Sequence, residues 1–392
     1  MLITSMAIDY DLLIIGGGIH GAACAQAASA KGYSVLLLEQ FEKPGLATSS
    51  KSSKLIHGGL RYLETGQFKL VYECLQERKY LLHNAPHLVK LVPFYIPVFK
   101  NSLRSSLIIR AGLSIYSLFS KKPFKTISRK KWHQLDGLNT NDLVTVFQYY
   151  DAQTDDQQLT EAVMNSAQEM GAIVYTNTVF DKAECQQNYC TAHFTRDNKQ
   201  QIITSRLIIN TSGPWVNHVL EKITPEQSHI DIDLVLGSHI IINKKPAQGI
   251  YYLESPHDQR AVFVMPWQDK TMIGTTETDF TDSLDHIEAP KPDIEYLLST
   301  YNHYFNPRAS EQDITDSFAG LRVLPKASTS AFARPRDTII HYDKTDTPRV
   351  FSLYGGKLTA NRATAHHLMK IIQPFLPQPT QDIDTRFISL TK

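Results

Sequence analysis

Three glycines, Gly16, Gly18 and Gly21, follow directly on a short apolar run, Leu12 to Ile15, and an acid, Glu39, closes the next such run, Val35 to Leu38. In this order the residue types suit one task, the holding of a dinucleotide. Gly16 permits the tight turn after a buried strand, Gly18 lets backbone approach a pyrophosphate, and Gly21 lets the following helix pack closely on the sheet. The Ala-rich segment from about Ile19 to Ala30, broken at Gly32, is that helix. Its amino end turns free N–H groups and the positive end of the helix dipole toward the phosphates. Glu39 stands where a carboxylate accepts hydrogen bonds from a ribose hydroxyl. A glycine triplet alone marks only a turn, but strand, glycines, helix, strand and acid in register define a nucleotide grip.

The elements after Glu39 decide which dinucleotide. A plain NAD-binding domain continues into a further helix and strand, whereas Pro44 to Gly59 is a hydroxyl-rich loop holding Thr48, Ser49, Ser53 and His57. That loop favours FAD, which needs backbone and hydroxyl donors along an extended length. Helical patterning then runs from about Phe68 to His83, Pro93 and Pro97 frame a short extended piece, and Thr154 to Gly171 reads as a helix returning to the first sheet. A buried strand, Arg206 to Asn210, ends in a turn at Gly213 that brings backbone near a ligand. From His229 the pattern becomes antiparallel, with strands over His229 to Asn243, Gly249 to Glu254, Ala261 to Trp267 and Thr271 to Thr276, then a helix around Pro292 to Tyr304. A last strand, Arg349 to Tyr354, meets the turn Gly355-Gly356 and a helix from about Leu358 to Ile372, and residues 373–392 read as a tail.

Composition narrows the class. A chain of 392 residues with 42% apolar and 20% charged residues is an ordinary globular enzyme in make-up, large enough for about two or three domains. A net charge of +1 excludes a whole-protein nucleic-acid binder. Cys24, Cys74, Cys185 and Cys190 make no C-x-x-C pair and no zinc spacing, no His or carboxylate cluster marks a metal, and a reducing compartment is the default. Met1 to Tyr10 lacks the features of a secretory signal, and no apolar run reaches membrane-spanning length. One asymmetry stands out: no Asp or Glu lies between Glu77 and Asp136, while Lys and Arg recur throughout, around an apolar stretch Ser105 to Phe119. Residues 100–131 are open to two readings, a core helix flanked by solvated lysines or a helix lying in an anionic membrane surface.

The block Ser49 to Glu64, containing His57-Gly-Gly-Leu-Arg61-Tyr62, resembles the FAD-dependent, membrane-associated glycerol-3-phosphate dehydrogenases. So do Asn210 to Trp215, Gly237-Ser-His239, Val264 to Asp269, Ile273 to Thr276 and Gly355 to Thr359, in order along nearly the whole chain. Departures are Leu321-Arg322-Val323, where the family tends to Arg-Pro, Glu277 in place of Asp, and the family's additional C-terminal helical domain, which this sequence does not contain. The resemblance implies an α/β fold: an FAD-binding Rossmann-like domain of the glutathione-reductase/D-amino-acid-oxidase type with an interleaved antiparallel-sheet substrate domain. Its segments are expected at 7–88, 145–228 and 318–376 for FAD, 89–144 and 229–317 for the cap, and 377–392 for the tail.

The same resemblance implies oxidation of glycerol 3-phosphate to dihydroxyacetone phosphate, quinone as acceptor, and a cytoplasmic protein peripheral on the inner face of the cytoplasmic membrane, with oligomers possible. Alternatives are an oxidase releasing peroxide, an amine- or amino-acid-oxidising relative, and a degenerate flavoprotein scaffold. Arg61 and Arg322 are the implied phosphate clamp, since a guanidinium fork stays charged at any working pH. Tyr62 is a neutral donor beside them. His239 is the implied general base, with His57 nearer the flavin ring. Lys357, expected in the first turn of the last helix, is assigned to negative charge on flavin or on the developing ketone oxygen. Thr275 and Thr276 are expected to line the substrate cavity as hydroxyl donors. Cofactor contacts are expected from Gly16, Gly18, Gly21, Glu39, Thr48, Ser49, Ser53, His57, Gly213, Gly355, Gly356, Leu358 and Thr359.

Overall fold

The computed structural model describes residues 7–64, 66–244, 248–327 and 338–391. Two large sheets share the chain between them. In the first, Val350–Tyr354, Lys199–Asn210, Tyr10–Ile15, Val35–Leu38 and Ile173–Tyr175 lie side by side in that order, every neighbouring pair parallel. Parallel strands are buried on both faces, so their apolar runs are continuous and successive residues join opposite cores. Leu12 and Ile14 join a core with the helices Ile19–Ser29, Asp156–Glu169 and Asn361–Ile372. Leu13 and Ile15 face a second core with Phe180, Phe194 and Val216. The helix Ile19–Ser29 is buried nearly all round, which is why its residues are small and apolar on every side.

The second sheet is largely antiparallel. The strand Ile232–Ile242 pairs along its length with Ile314–Pro325 and, at its ends, with Lys270–Gly274 and Thr278–Phe280. Ala261–Trp267 and Ile250–Glu254 extend the sheet to Lys90–Phe99 and Leu143–Gln153. One face carries the helix Lys291–Tyr304, and the other packs against side chains of Phe68–Asn84 and Ser106–Ser120.

Several expectations shift. The boundaries anticipated at 144/145 and 317/318 fall inside Leu143–Gln153 and Ile314–Pro325, both strands of the second sheet. Lys90–Phe99 runs straight through Pro93 and Pro97, because its neighbour on the far side meets it only at Phe94 and Tyr95. The segment anticipated as a tail is docked: Ile383 N–H donates to Ala30, Leu390 N–H to Asn84, and Lys31 pairs with Asp382 at 2.8 Å. A disulfide joins Cys185 and Cys190, which face one another across the hairpin of Thr178–Cys185 and Cys190–Arg196. Spacing along the chain hides this pair, since hairpin register sets it.

Candidate active site

A cavity of about 500 Å³ opens where the carboxyl ends of the parallel strands meet the second sheet. At its nucleotide end Gly16 takes a φ of +101°, and a Cβ there would come within 2.7 Å of the Thr211 carbonyl oxygen. Gly18, extended, precedes a helix with no side-chain cap of its own and no acid in its first turn. Ile19 N–H is met instead by Ser49 Oγ at 2.9 Å. Gly21 does not line the cavity; a Cβ would sit 1.9 Å from the Gly16 carbonyl oxygen, so its role is the close packing of helix on turn. Glu39 is buried, and its carboxylate accepts from Gly17 N–H at 2.6 Å and Phe41 N–H at 2.8 Å. Burial raises its pKa, opposed by those backbone donors. Glu39 therefore braces the glycine turn while lining the nucleotide cavity.

The hydroxyl-rich loop lies along the middle. Thr48 donates to the Leu321 carbonyl at 3.0 Å, anchoring the loop to the second sheet. Ser49, Ser53 and His57 line the cavity, as do Gly213, Gly355, Gly356, Leu358 and Thr359 from the opposite side. Gly356 is required by a close approach: a Cβ would fall 2.2 Å from the His20 ring. His20, unremarked in the sequence because it sits at a variable position of the glycine motif, lines the cavity with a buried Nε2 that has no hydrogen-bond partner among the described residues. Burial pushes its pKa down to about 4. A glycine cradle, a helix end with no acid in its first turn, a row of hydroxyls and an unmatched ring nitrogen fit an extended FAD.

At the substrate end, Arg61 and Arg322 come to the same cavity from different elements. Arg61 rides the short turn Leu60–Leu63, entered through Gly59 at φ +74°, where a Cβ would strike the Tyr62 ring. Arg322, on Ile314–Pro325, is opposite Val235 and reaches across Gly237, whose absent side chain leaves space for the guanidinium. It pairs with Glu277 at 3.0 Å and donates to Thr275 Oγ1 at 3.2 Å. Lys357 Nζ lies 4.2 Å from the centre of the Tyr62 ring, a cation–π contact that places ammonium, phenol and Arg61 at one end of the cavity.

Two residues stand elsewhere than expected. Lys357 is not in a helical turn: the last helix begins at Asn361, after a glycine turn that delays it. Thr276 does not line the cavity, though Thr275 does; the Thr276 hydroxyl is engaged by Asp293 at 2.5 Å and by Ser238 N–H at 2.9 Å.

His239 is buried on the strand Ile232–Ile242, stacked on Phe318 at 4.9 Å, with Nε2 2.9 Å from Ser53 Oγ. Burial, reinforced by Arg322 and Lys54, lowers its pKa to about 3, so the imidazole is neutral at any ordinary pH. Lys54 and Asp156 escaped sequence reasoning. They form a buried ion pair at 2.5 Å beneath the loop, and the only hint is a cation within a run of serines.

Residues 11–368 match the family of DAO, FAD dependent oxidoreductases, and the fold and cavity are those of an FAD-dependent oxidoreductase. The chain is 36% identical over 374 residues to glycerol-3-phosphate dehydrogenase of Pseudomonas aeruginosa, across 94% of this chain and 73% of that protein. It is 34% identical over 380 residues to D-erythritol 1-phosphate dehydrogenase of Brucella abortus, across 94% and 74%. The crystal structure of the Bacillus halodurans glycerol-3-phosphate dehydrogenase complexed with FAD superposes with a TM-score of 0.76 at 25% identity, across 97% of this chain and 67% of that one. Within the FAD-dependent oxidoreductases, the protein belongs to the glycerol-3-phosphate dehydrogenase family.

Proposed function

We propose that the protein oxidises sn-glycerol 3-phosphate to dihydroxyacetone phosphate and passes the electrons to a quinone. The observation that carries this reading is the convergence of Arg61, Arg322, Lys357 and His239 on the cavity that also holds the glycine cradle. Bound FAD supplies the acceptor for the hydride. Arg61 and Arg322 hold the phosphate dianion by charge-assisted hydrogen bonds, with Tyr62 beside them. His239 receives the proton of the central hydroxyl, and Lys357 steadies the oxygen as negative charge develops on it. A phosphate seated between the arginines also raises the basicity of His239, because its charge offsets the cations that depress it.

The test is anaerobic mixing of the FAD-loaded protein with glycerol 3-phosphate. Rapid loss of the flavin's visible absorption is expected, and a protein that stays yellow sinks the reading. Reoxidation by a soluble quinone, without peroxide when oxygen is admitted, separates the dehydrogenase from an oxidase. Likeness to the erythritol-phosphate enzyme supports a second reading, a longer polyol phosphate in the same clamp. A higher kcat/KM for erythritol 1-phosphate than for glycerol 3-phosphate would select it.

We further propose that residues 100–131 seat the protein peripherally on the inner face of the cytoplasmic membrane. No helix among the described residues is long and apolar enough to cross a membrane. The helix Ser106–Ser120 buries Leu113 and Tyr116 but exposes Leu107 and Leu118 by 75% and 76%, beside exposed Arg110, Lys121, Lys122 and Lys125. Part of the basic run is neutralised internally, Arg78 by Asp151 and Arg104 by Glu64 and Glu254, so the charge available to lipid gathers after the helix.

A further inference from the structure

The turn that carries Arg61 also carries an acid. Glu64 N–H donates to the Arg61 carbonyl at 3.1 Å, and side chains three apart on so tight a turn stand one above the other. A carboxylate in that position is a ready partner for the guanidinium that a phosphate needs. Glu64 is held by Arg104, whose guanidinium meets one carboxylate oxygen through Nε and the other through Nη2 at 2.9 Å. The remaining arm, Nη1, donates to Glu254 at 2.9 Å, and Glu254 also accepts from Leu103 N–H at 2.8 Å. The Arg104 side chain is 14% exposed and committed to acids on both sides.

This cluster borders the cavity without entering it. Arg61, Tyr62 and Tyr252 line the cavity, whereas Glu64 and Arg104 do not. The Tyr252 phenol feels all four charges: burial raises its pKa, Arg104 and Arg61 lower it, and Glu64 and Glu254 raise it. The turn has supports of its own besides Arg104. Its entry is pinned where Gly58 N–H donates to Tyr116 Oη at 2.9 Å, and Tyr116 donates in turn to the buried Asp151 at 2.5 Å. Past the turn, Gln67 N–H returns to the Tyr62 carbonyl at 3.0 Å. What Arg104 supplies is the positive charge facing Glu64.

We propose that Arg104 is a positioning residue for the phosphate clamp: by taking both oxygens of Glu64 it keeps that carboxylate off Arg61, so a substrate phosphate reaches the guanidinium without displacing an internal acid. This rests on Arg61 belonging to the clamp of the proposed reaction. Without Arg104, Glu64 and Glu254 stand as two like charges beside a site meant for a dianion, and Glu64 turns to the cation on its own turn.

The test is calorimetric titration of FAD-loaded protein with inorganic phosphate, alongside KM and kcat for glycerol 3-phosphate. Arg104→Gln is expected to weaken phosphate binding and raise KM by about 3- to 10-fold, with kcat nearly unchanged. Adding Glu64→Gln to it should restore both quantities, which loss of a structural brace would not allow. Unaltered binding in Arg104→Gln overturns the proposal, and so does a loss that Glu64→Gln fails to restore. Should Arg104→Gln not retain FAD, Arg104→Lys takes its place: a lysine is a point charge without the two-pronged fork, so a smaller loss with the same recovery is expected, and no loss overturns the proposal. Failure of glycerol 3-phosphate to bleach the flavin would instead remove the reaction alone, because the phosphate titration still reports on Arg61, with Arg61→Ala as the control that abolishes binding.

Discussion

At the scale of single residues, the site is an arrangement of cations at one end of a single cavity, and each has a separate consequence. In the proposed phosphate clamp each arginine supplies charged hydrogen bonds worth about 1.5 to 3 kcal/mol, so Arg61→Ala and Arg322→Ala should raise KM for glycerol 3-phosphate by about 10- to 150-fold in steady-state assays. Arg322→Ala additionally removes the 3.0 Å ion pair to Glu277 and should lower the melting temperature more than Arg61→Ala does. The low pKa of His239 carries a pH signature. Between its ordinary value near 6.5 and its folded value of about 3, the unfolded chain binds a proton that the folded one refuses. Stability therefore falls as pH falls through that window, by up to about 1.4 kcal/mol per unit from this residue. Urea unfolding across that range should show a shallower decline in His239→Gln. Arg61, His239, Arg322 and Lys357 were legible because they sit in motifs whose neighbours are also distinctive. Thr276 misled because two adjacent threonines on a turn point opposite ways, and only the fold shows which one Asp293 captures.

Among the elements, the turns do more to shape the site than the strands do. Gly59 enters the Arg61 turn with a positive φ and no room for a side chain. Gly59→Ala should cost about 1 kcal/mol or more from backbone strain and displace Arg61, lowering the melting temperature and raising KM together. The hydroxyl-rich loop depends likewise on the pair beneath it. Asp156→Ala leaves a buried ammonium without its counter-charge and should destabilise the protein by about 3 to 5 kcal/mol in urea titrations. The glycine-flanked strands and the helix Ile19–Ser29 were readable from apolar runs and small residues, since each obeys a local period. Lys357 was misplaced by a helix that begins three residues later than its pattern, because the double glycine first reverses the chain. Lys54 and Asp156 lie far apart in sequence, and nothing local links them.

For the whole molecule, the second sheet gathers strands from two stretches of chain, 55–153 and 232–325, with strands of the first sheet between them, which explains why its boundaries resisted assignment. Leu143–Gln153 and Ile314–Pro325 carry buried runs like those of strands in either sheet, and partner choice is a property of the assembled core. The exposed leucines of Ser106–Ser120 and the lysines after it predict co-sedimentation with anionic vesicles that weakens at high salt and is lost in Leu107→Glu together with Leu118→Glu. Binding indifferent to lipid charge would leave those leucines without that role. The parallel sheet has a further consequence. Lys199–Asn210 lies between Tyr10–Ile15 on one side and Val350–Tyr354 on the other, so the cradle unites Gly16 with Gly356. A chain still emerging from the ribosome cannot close that cradle until its final strand is free. Uptake of the coenzyme therefore waits for Val350–Tyr354, and the yellow colour of a preparation certifies that Gly16 and Gly356 have been brought together.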